Sequence, residues 1–257
     1  MATERELASV RERLFGLIDE RDIVRVDIPR PDRSQVRALL GLTDLCSTVS
    51  DALDDVGIGA AISAGVLVPR RSGERIVGPA VTIRYMREGG TAGAHIARGA
   101  PARLADRDVY AVGRPGDVAV FDSGGASDAS IMGGLSGRWA KRLGMAGCVV
   151  DGAVRDLESM CAAGVPVWSR TVTPRTGKHR MRAVEINGRV SLDGVAVTPG
   201  DLVTADDSGV CVVPAEAVAE VLALCLETDA TEQAVIDAIA AGASLADVRA
   251  VHPPARW

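Results

Sequence analysis

Aromatic residues are scarce in this chain of 257 residues: two phenylalanines, two tyrosines and three tryptophans, 3% in all. Its core must therefore be aliphatic, which the 47% hydrophobic content allows. There is no basic run, and the net charge of −5 gives nucleic acid nothing to hold electrostatically. No apolar stretch approaches the ~20 residues that span a bilayer, and the charged N-terminus lacks the apolar region of a signal peptide. The expected location is the cytoplasm, with no membrane or nucleic-acid partner. Cys46, Cys148, Cys161, Cys211 and Cys225 form no C-x-x-C pair. Three sit inside apolar runs and read as small core residues. His95, His179 and His252 have no ligand spacing and read as surface or loop residues. A G-x-S-x-G elbow, a Cys/His nucleophile pattern and a G-x-G-x-x-G loop are all missing, and no repeat or low-complexity tract appears.

What is present alternates helices and strands. Thr3 and Glu6 make a capping box for an amphipathic helix over 3–20, with Leu7, Val10, Leu14, Leu17 and Ile18 on one face. Residues 27–34 are a Pro-interrupted connection, and 47–57 form a short helix ending at Gly57. A strand covers 76–85, with Gly78-Pro79 implying an edge or bulge at its start. The glycine-rich 89–99 segment is a loop leading into a helix. Further on come a helix at 157–163, a strand at 165–169 and a polar loop at 173–180. Asn187-Gly188 predicts a hairpin over 183–192. Strands at 202–205 and 210–213 pair, and two helices, 214–227 and 231–241, follow. This order implies an α/β layered domain with mixed strand pairing.

Residues 116–156, GDVAVFDSGGASDASIMGGLSGRWAKRLGMAGCVVDGAVRD, are where chemistry is expected. A buried strand at 118–121 stops at Asp122 and a glycine pair. Gly133-Gly134 opens a helix through Leu135, Trp139 and Leu143, closing at Gly144. A second strand at 148–150 ends at Asp151-Gly152 and delivers Arg155-Asp156. Ligands of open α/β sheets gather beyond the carboxyl ends of strands.

Adjacent opposite charges such as Arg155-Asp156 are ordinarily a surface pair. Here they face the N-terminus of the helix that starts at Gly133-Gly134, whose Leu135 and Ser136 amides are free to hold a carboxylate. Arg155 can hold the same carboxylate bidentately. Asp156 can place a Mg²⁺ or Mn²⁺ ion that keeps several waters. The combination suits a small 2-oxo acid, its carboxylate on arginine and amides and its ketone oxygen on the metal. Such a site can break the C3–C4 bond through a metal-stabilised enolate.

The segments GDVAVFDSGG, GGLSGRWAKRLGMAGCVVDGAVRD, GVPVW, TP, NG and GVAVTPGDLVTADDSGVCVVP resemble the RraA-like family, over about Ser47 to Gly242. That family includes metal-dependent 4-hydroxy-4-methyl-2-oxoglutarate aldolases. The resemblance implies an α/β/β/α layered fold, with 1–45 as an added helical extension, 46–242 as the family domain and 243–257 as a tail. It also implies a homotrimer or homohexamer with its site at subunit contacts, and a class II pyruvate aldolase, often with oxaloacetate decarboxylation. By position, Arg155 matches the pyruvate-carboxylate arginine, Asp156 the Mg²⁺-binding aspartate, and Gly133–Ser136 the carboxylate-holding loop. Glu232, near Glu227 and Asp229, lies where the family tends to place a glutamate from a neighbouring subunit.

Two positions depart from the family pattern. The aldolases commonly carry D-x20-R-D, but 21 residues before Arg155 stands Gly134. Three residues after Asp156 stands Ser159, where an acid is common. The residue that orders catalytic water is thus missing, and Asp128 or Asp122 becomes the candidate acid/base, although either can equally be a turn residue. If the loop accepts a side chain, Gly134→Asp is expected to raise aldol cleavage. The overall reading is a metal-dependent carbon–carbon lyase releasing pyruvate. A non-enzymatic regulator of the ribonuclease-E-inhibitor type and a dedicated oxaloacetate-type decarboxylase are the alternatives. Asp156, which the regulators lack, argues for an enzyme.

Overall fold

The computed structural model describes residues 1–251, so His252 lies outside the described residues. Helix α1 (Glu4–Val10) starts from the expected capping box. The Thr3 hydroxyl accepts the Glu6 N–H at 3.3 Å, and the Glu6 carboxylate accepts the Thr3 N–H at 2.8 Å. The helix expected over 3–20 stops there. A 3-10 turn, Arg11–Arg13, follows, and the chain is extended at Leu14. The buried Asp108 carboxylate overrides the amphipathic pattern by accepting the N–H groups of Phe15 and Leu17, which a longer helix would have used internally. Leu14, Leu17 and Ile18 still pack on the core.

The chain continues through α2 (Arg33–Leu40), α3 (Leu45–Asp55), β1 (Ala61–Ser63), β2 (Val68–Pro69), β3 (Ile76–Arg87), α4 (Ala92–Ala97), α5 (Asp106–Val112) and β4 (Val118–Met132). Then come α6 (Gly134–Arg142), β5 (Gly147–Val154), α7 (Leu157–Ala163), β6 (Val167–Val172), β7 (Met181–Ile186), β8 (Val190–Leu192) and β9 (Val195–Val197). β10 (Leu202–Asp206), β11 (Gly209–Val213), α8 (Val218–Ala240) and α9 (Leu245–Val251) close it. Nine strands form one sheet in the order β1-β11-β10-β3-β4-β5-β6-β2, with β7 also on β3. β3 to β6 are parallel and the flanks antiparallel, the mixed pairing the sequence implies. One edge of β3 is shared: Ile76–Pro79 pair with β10, and Ile83–Arg87 pair with β7.

Period-2 alternation on the central strands feeds two cores. Val118, Val120 and Val149 face α3 and α8 through Val49, Leu53, Val221 and Cys225. Ala119, Phe121, Cys148 and Val150 face the other layer with Tyr110, Ala140 and Met160. Val10, Ile23, Val26 and Ile28 are buried in this second core, so the N-terminal extension is part of its packing. The cysteines are free, four of the five are buried, and burial pushes the Cys148 thiol up to about 12.

Three further expectations change. β4 does not stop at Asp122; it runs 15 residues to Met132. Gly124 and Gly125, with φ of +60° and +71°, let it slip register against β5 rather than leave the sheet. Asn187-Gly188 does turn the chain, but its flanking strands pair elsewhere, β7 with β3 and β8 with β9. The Asn187 carbonyl accepts the Thr82 N–H at 3.0 Å, so its amide group serves β3 instead of a hairpin. The two closing helices are one: residues 228–230 contain no breaker, and α8 continues for 23 residues. No helix among the described residues is long and apolar enough to cross a membrane.

Candidate functional site

β4 and β5 end side by side at Met132 and Val154, and the Arg155 N–H donates to the Met132 carbonyl at 3.0 Å. From these ends α6 begins at Gly134 and α7 begins just past Asp156. Gly133–Ser136 and Arg155–Asp156 therefore converge, as the sequence expects, around a cleft of about 140 Å³ beyond the strand ends. The buried face of α6 is Gly134, Ser136, Gly137 and Ala140, small residues that let it approach its neighbours. Leu135, whose backbone amide is the expected donor, is itself 67% exposed.

Asp156 occupies the left-handed region at φ +57°, which aspartate tolerates better than most residues. Its Oδ2 accepts the Gly134 N–H at 3.2 Å and lies 3.5 Å from Arg155 Nε. This is a long, single-contact ion pair between partly exposed side chains. Asp156 Oδ1 and both Arg155 Nη atoms have no hydrogen-bond partner among the described residues. The first-turn amides of Leu135 and Ser136 have no intrahelical acceptor. No group of three or more His, Cys, Asp or Glu side chains is placed to hold a metal among the described residues. One carboxylate with a free oxygen fits a weakly held, largely hydrated divalent cation, not a caged one.

A Cβ at Gly134 would stand 2.6 Å from Ser159 Cβ on α7. The glycine and the serine at the two departures from the family pattern therefore touch, and the loop does not accept an aspartate at 134 without a shift.

A second carboxylate at the cleft is Asp106, a residue missed in the sequence, with Arg107 beside it. Desolvation raises the Asp106 carboxyl above its ordinary range, opposed by the Ser136 hydroxyl and the Arg107 charge. Tyr110 Oη lies 2.8 Å from Ser136 Oγ and completes the group. In sequence, Asp106-Arg107-Asp108 is indistinguishable from the acidic first turn of any helix.

The other candidates lie elsewhere. Asp122 accepts the Gly124 and Ser191 N–H groups at 2.9 and 3.1 Å, a bulge-fixing role. Asp128 pairs with Arg87 at 2.6 Å, which holds its carboxyl below the usual range. Glu232 is exposed on α8, and the nearby Asp229 accepts the Thr43 N–H at 2.8 Å. His95 and His179, distant in sequence, stack with ring centroids 6.3 Å apart beside a separate small cavity.

The family model described as RraA-like, Aldolase/RraA, matches residues 46–212. This chain belongs to the RraA-like family. Among similar proteins, DlpA of Legionella pneumophila is 33% identical over 202 residues, 78% of this chain but 31% of DlpA, so the chain spans under a third of that relative. A Halalkalibacterium halodurans protein, provisionally named a 4-hydroxy-4-methyl-2-oxoglutarate aldolase, is 34% identical over 65% of this chain and 70% of its own. Of solved structures, a Pseudomonas syringae pv. tomato protein superposes with a TM-score of 0.72 at 28% identity, covering 87% of this chain and 100% of that one. Streptomyces coelicolor RraAS2, titled an unusual member of the RNase ES inhibitor RraA protein family, superposes with a TM-score of 0.68 at 28% identity, over 80% and 98% of the two chains.

Proposed function

We propose that this RraA-like protein is a carbon–carbon lyase that releases pyruvate from a small 2-oxo acid with the help of Mg²⁺ or Mn²⁺. The observation that carries the reading is the convergence of Arg155, the first-turn amides of α6 and the Asp156 carboxylate on one cleft. Arg155 and those amides hold the substrate carboxylate and fix the 2-oxo group beside Asp156. A divalent cation at Asp156 would supply Lewis-acid stabilisation of the charge that develops on the 2-oxo oxygen.

Proton transfer falls to Asp106. As a carboxylate it accepts the 4-hydroxyl proton while the C3–C4 bond breaks and the electron pair passes into the enolate. As a carboxylic acid it returns that proton to C3, giving the methyl group of pyruvate. A raised carboxyl suits this double duty, because one group must both accept and donate. Decarboxylation of oxaloacetate needs only the second half of the cycle, and we assign it as the less demanding activity.

We place the site at a contact between copies of the chain, in a homotrimer or homohexamer. The second half of α8 exposes Ile236 and Ile239, an apolar surface that a neighbouring copy would cover while bringing in Glu232. Size exclusion should return a trimer or larger; a fully active monomer contradicts this arrangement.

The likeness to RraAS2 favours a second reading, a protein-binding regulator without catalysis. A lactate-dehydrogenase-coupled assay separates the two. Pyruvate release from oxaloacetate or a 4-hydroxy-2-oxo acid supports the lyase. Its absence across both substrate types, with added Mg²⁺ or Mn²⁺, favours the regulator.

A further inference from the structure

Three polar side chains meet between α5 and α6 behind the cleft. Asp106 and Tyr110 stand one turn apart on the same face of α5, and Ser136 is on the buried face of α6. Asp106 and Ser136 line the cleft. Tyr110 is not part of its wall and lies within the second core. The Tyr110 and Ser136 hydroxyl oxygens are 2.8 Å apart, and the Cys148 thiol of β5 points at Tyr110 Oη from 4.0 Å.

Proton counting gives this chain a direction. Burial raises the Tyr110 phenol well above its ordinary range and the Cys148 thiol to about 12, so both keep their hydrogens at neutral pH. A thiol is a weak acceptor, so the phenol hydrogen goes to Ser136 Oγ. The Ser136 hydrogen is then left for the Asp106 carboxylate, whose charged form that hydroxyl favours. Desolvation, the largest influence on Asp106, acts the other way and favours the neutral acid.

We propose that Ser136 and Tyr110 are positioning residues for Asp106: the Tyr110 hydroxyl turns the Ser136 hydrogen toward the cleft, and Ser136 holds the Asp106 carboxylate there as the proton acceptor. This rests on the assignment of proton transfer to Asp106. Burial by itself favours a neutral acid, which cannot take the 4-hydroxyl proton, and the two aligned hydroxyls oppose it. The other charged or titratable groups around Asp106 are Arg107 and Asp108 on α5, Arg155 and Asp156 past the end of β5, Lys178 in the 173–180 loop, Tyr85 on β3 and Cys148 on β5. Substitutions at 110 and 136 remove none of them.

Carbon-13 NMR of the full chain labelled at the aspartate carboxyls reads Asp106 without any substrate, its signal assigned through Asp106→Asn. Ser136→Ala should weaken the Asp106 acid about tenfold or more, the loss of one hydrogen bond to a charged group. Tyr110→Phe should shift it in the same direction by less, and the double variant no further than Ser136→Ala, because Tyr110 acts through Ser136. The acidic limb of pyruvate methyl exchange, followed in D₂O with Mg²⁺, should move to higher pH by the same amounts. An Asp106 titration unmoved in both single variants, whatever happens to Tm, would make the pair a packing contact between α5 and α6. That result overturns the inference and leaves the assignment of Asp106 standing. Titrations that shift while the wild type shows no exchange, or while the exchange profile does not follow them, sink the proton-transfer assignment and take this inference with it.

Discussion

A Cβ placed on Gly134 would lie 2.6 Å from the Cβ of Ser159, so the first turn of α6 and the first turn of α7 are fitted to each other at this pair. Gly134→Asp alone should destabilise by about 1–3 kcal/mol through overpacking and lower, not raise, pyruvate release. Ser159→Gly alone should cost about 1 kcal/mol as a glycine inside a helix. The double variant should recover part of the loss, because removing the Ser159 side chain opens the space the new Cβ needs. Urea unfolding of the four proteins checks the coupling; strictly additive losses would mean the two positions do not touch.

The metal prediction follows from Asp156 being a lone carboxylate with one free oxygen. Binding should be weak, so EDTA should remove activity and Mg²⁺ or Mn²⁺ should restore it within mixing time. Asp156→Asn should be inactive at any metal concentration yet melt close to wild type, since the side chain is half exposed. Full turnover in chelator would remove the cation from the account.

Asp106 gives a pH signature. Its carboxyl is raised in the folded protein, chiefly by desolvation, so the folded state binds that proton more tightly than the unfolded chain does. Its contribution to stability is therefore fully present below the unfolded pKa and is lost as pH rises through the folded one. Asp106→Asn should raise Tm at pH 7–8 and give little gain near pH 3, while pyruvate release falls. A loss of Tm at neutral pH would instead make Asp106 a structural anchor.

Much of this site was legible in the residues themselves. Strand-end glycines, the α6 start and Arg155-Asp156 lie within one stretch, and their convergence needs only the parallel pairing of β4 and β5. Asp106 and Arg107 were not legible, because they reach the cleft from α5, which long-range packing brings there and no local pattern marks. The same limit explains α1. The amphipathic pattern over 3–20 is genuine, but Asp108, some ninety residues away, captures the backbone and ends the helix. Asn187-Gly188 was read for its turn chemistry, and the turn is there. What local sequence could not give is the Thr82 backbone that its side chain serves.

The central claim is that Arg155, Asp156 and the α6 amides stabilise the enolate of pyruvate, and it can be tested without knowing the natural substrate. Proton NMR in D₂O follows exchange of the pyruvate methyl protons. With Mg²⁺ the wild type should exchange them well above the buffer rate. Asp156→Asn should fall to that background, and Arg155→Lys should lose ~10²-fold in kcat/KM, on the order of 3 kcal/mol, because the fork that matches a carboxylate is gone. Exchange at the buffer rate in the wild type, or undiminished exchange in both variants, would contradict the account.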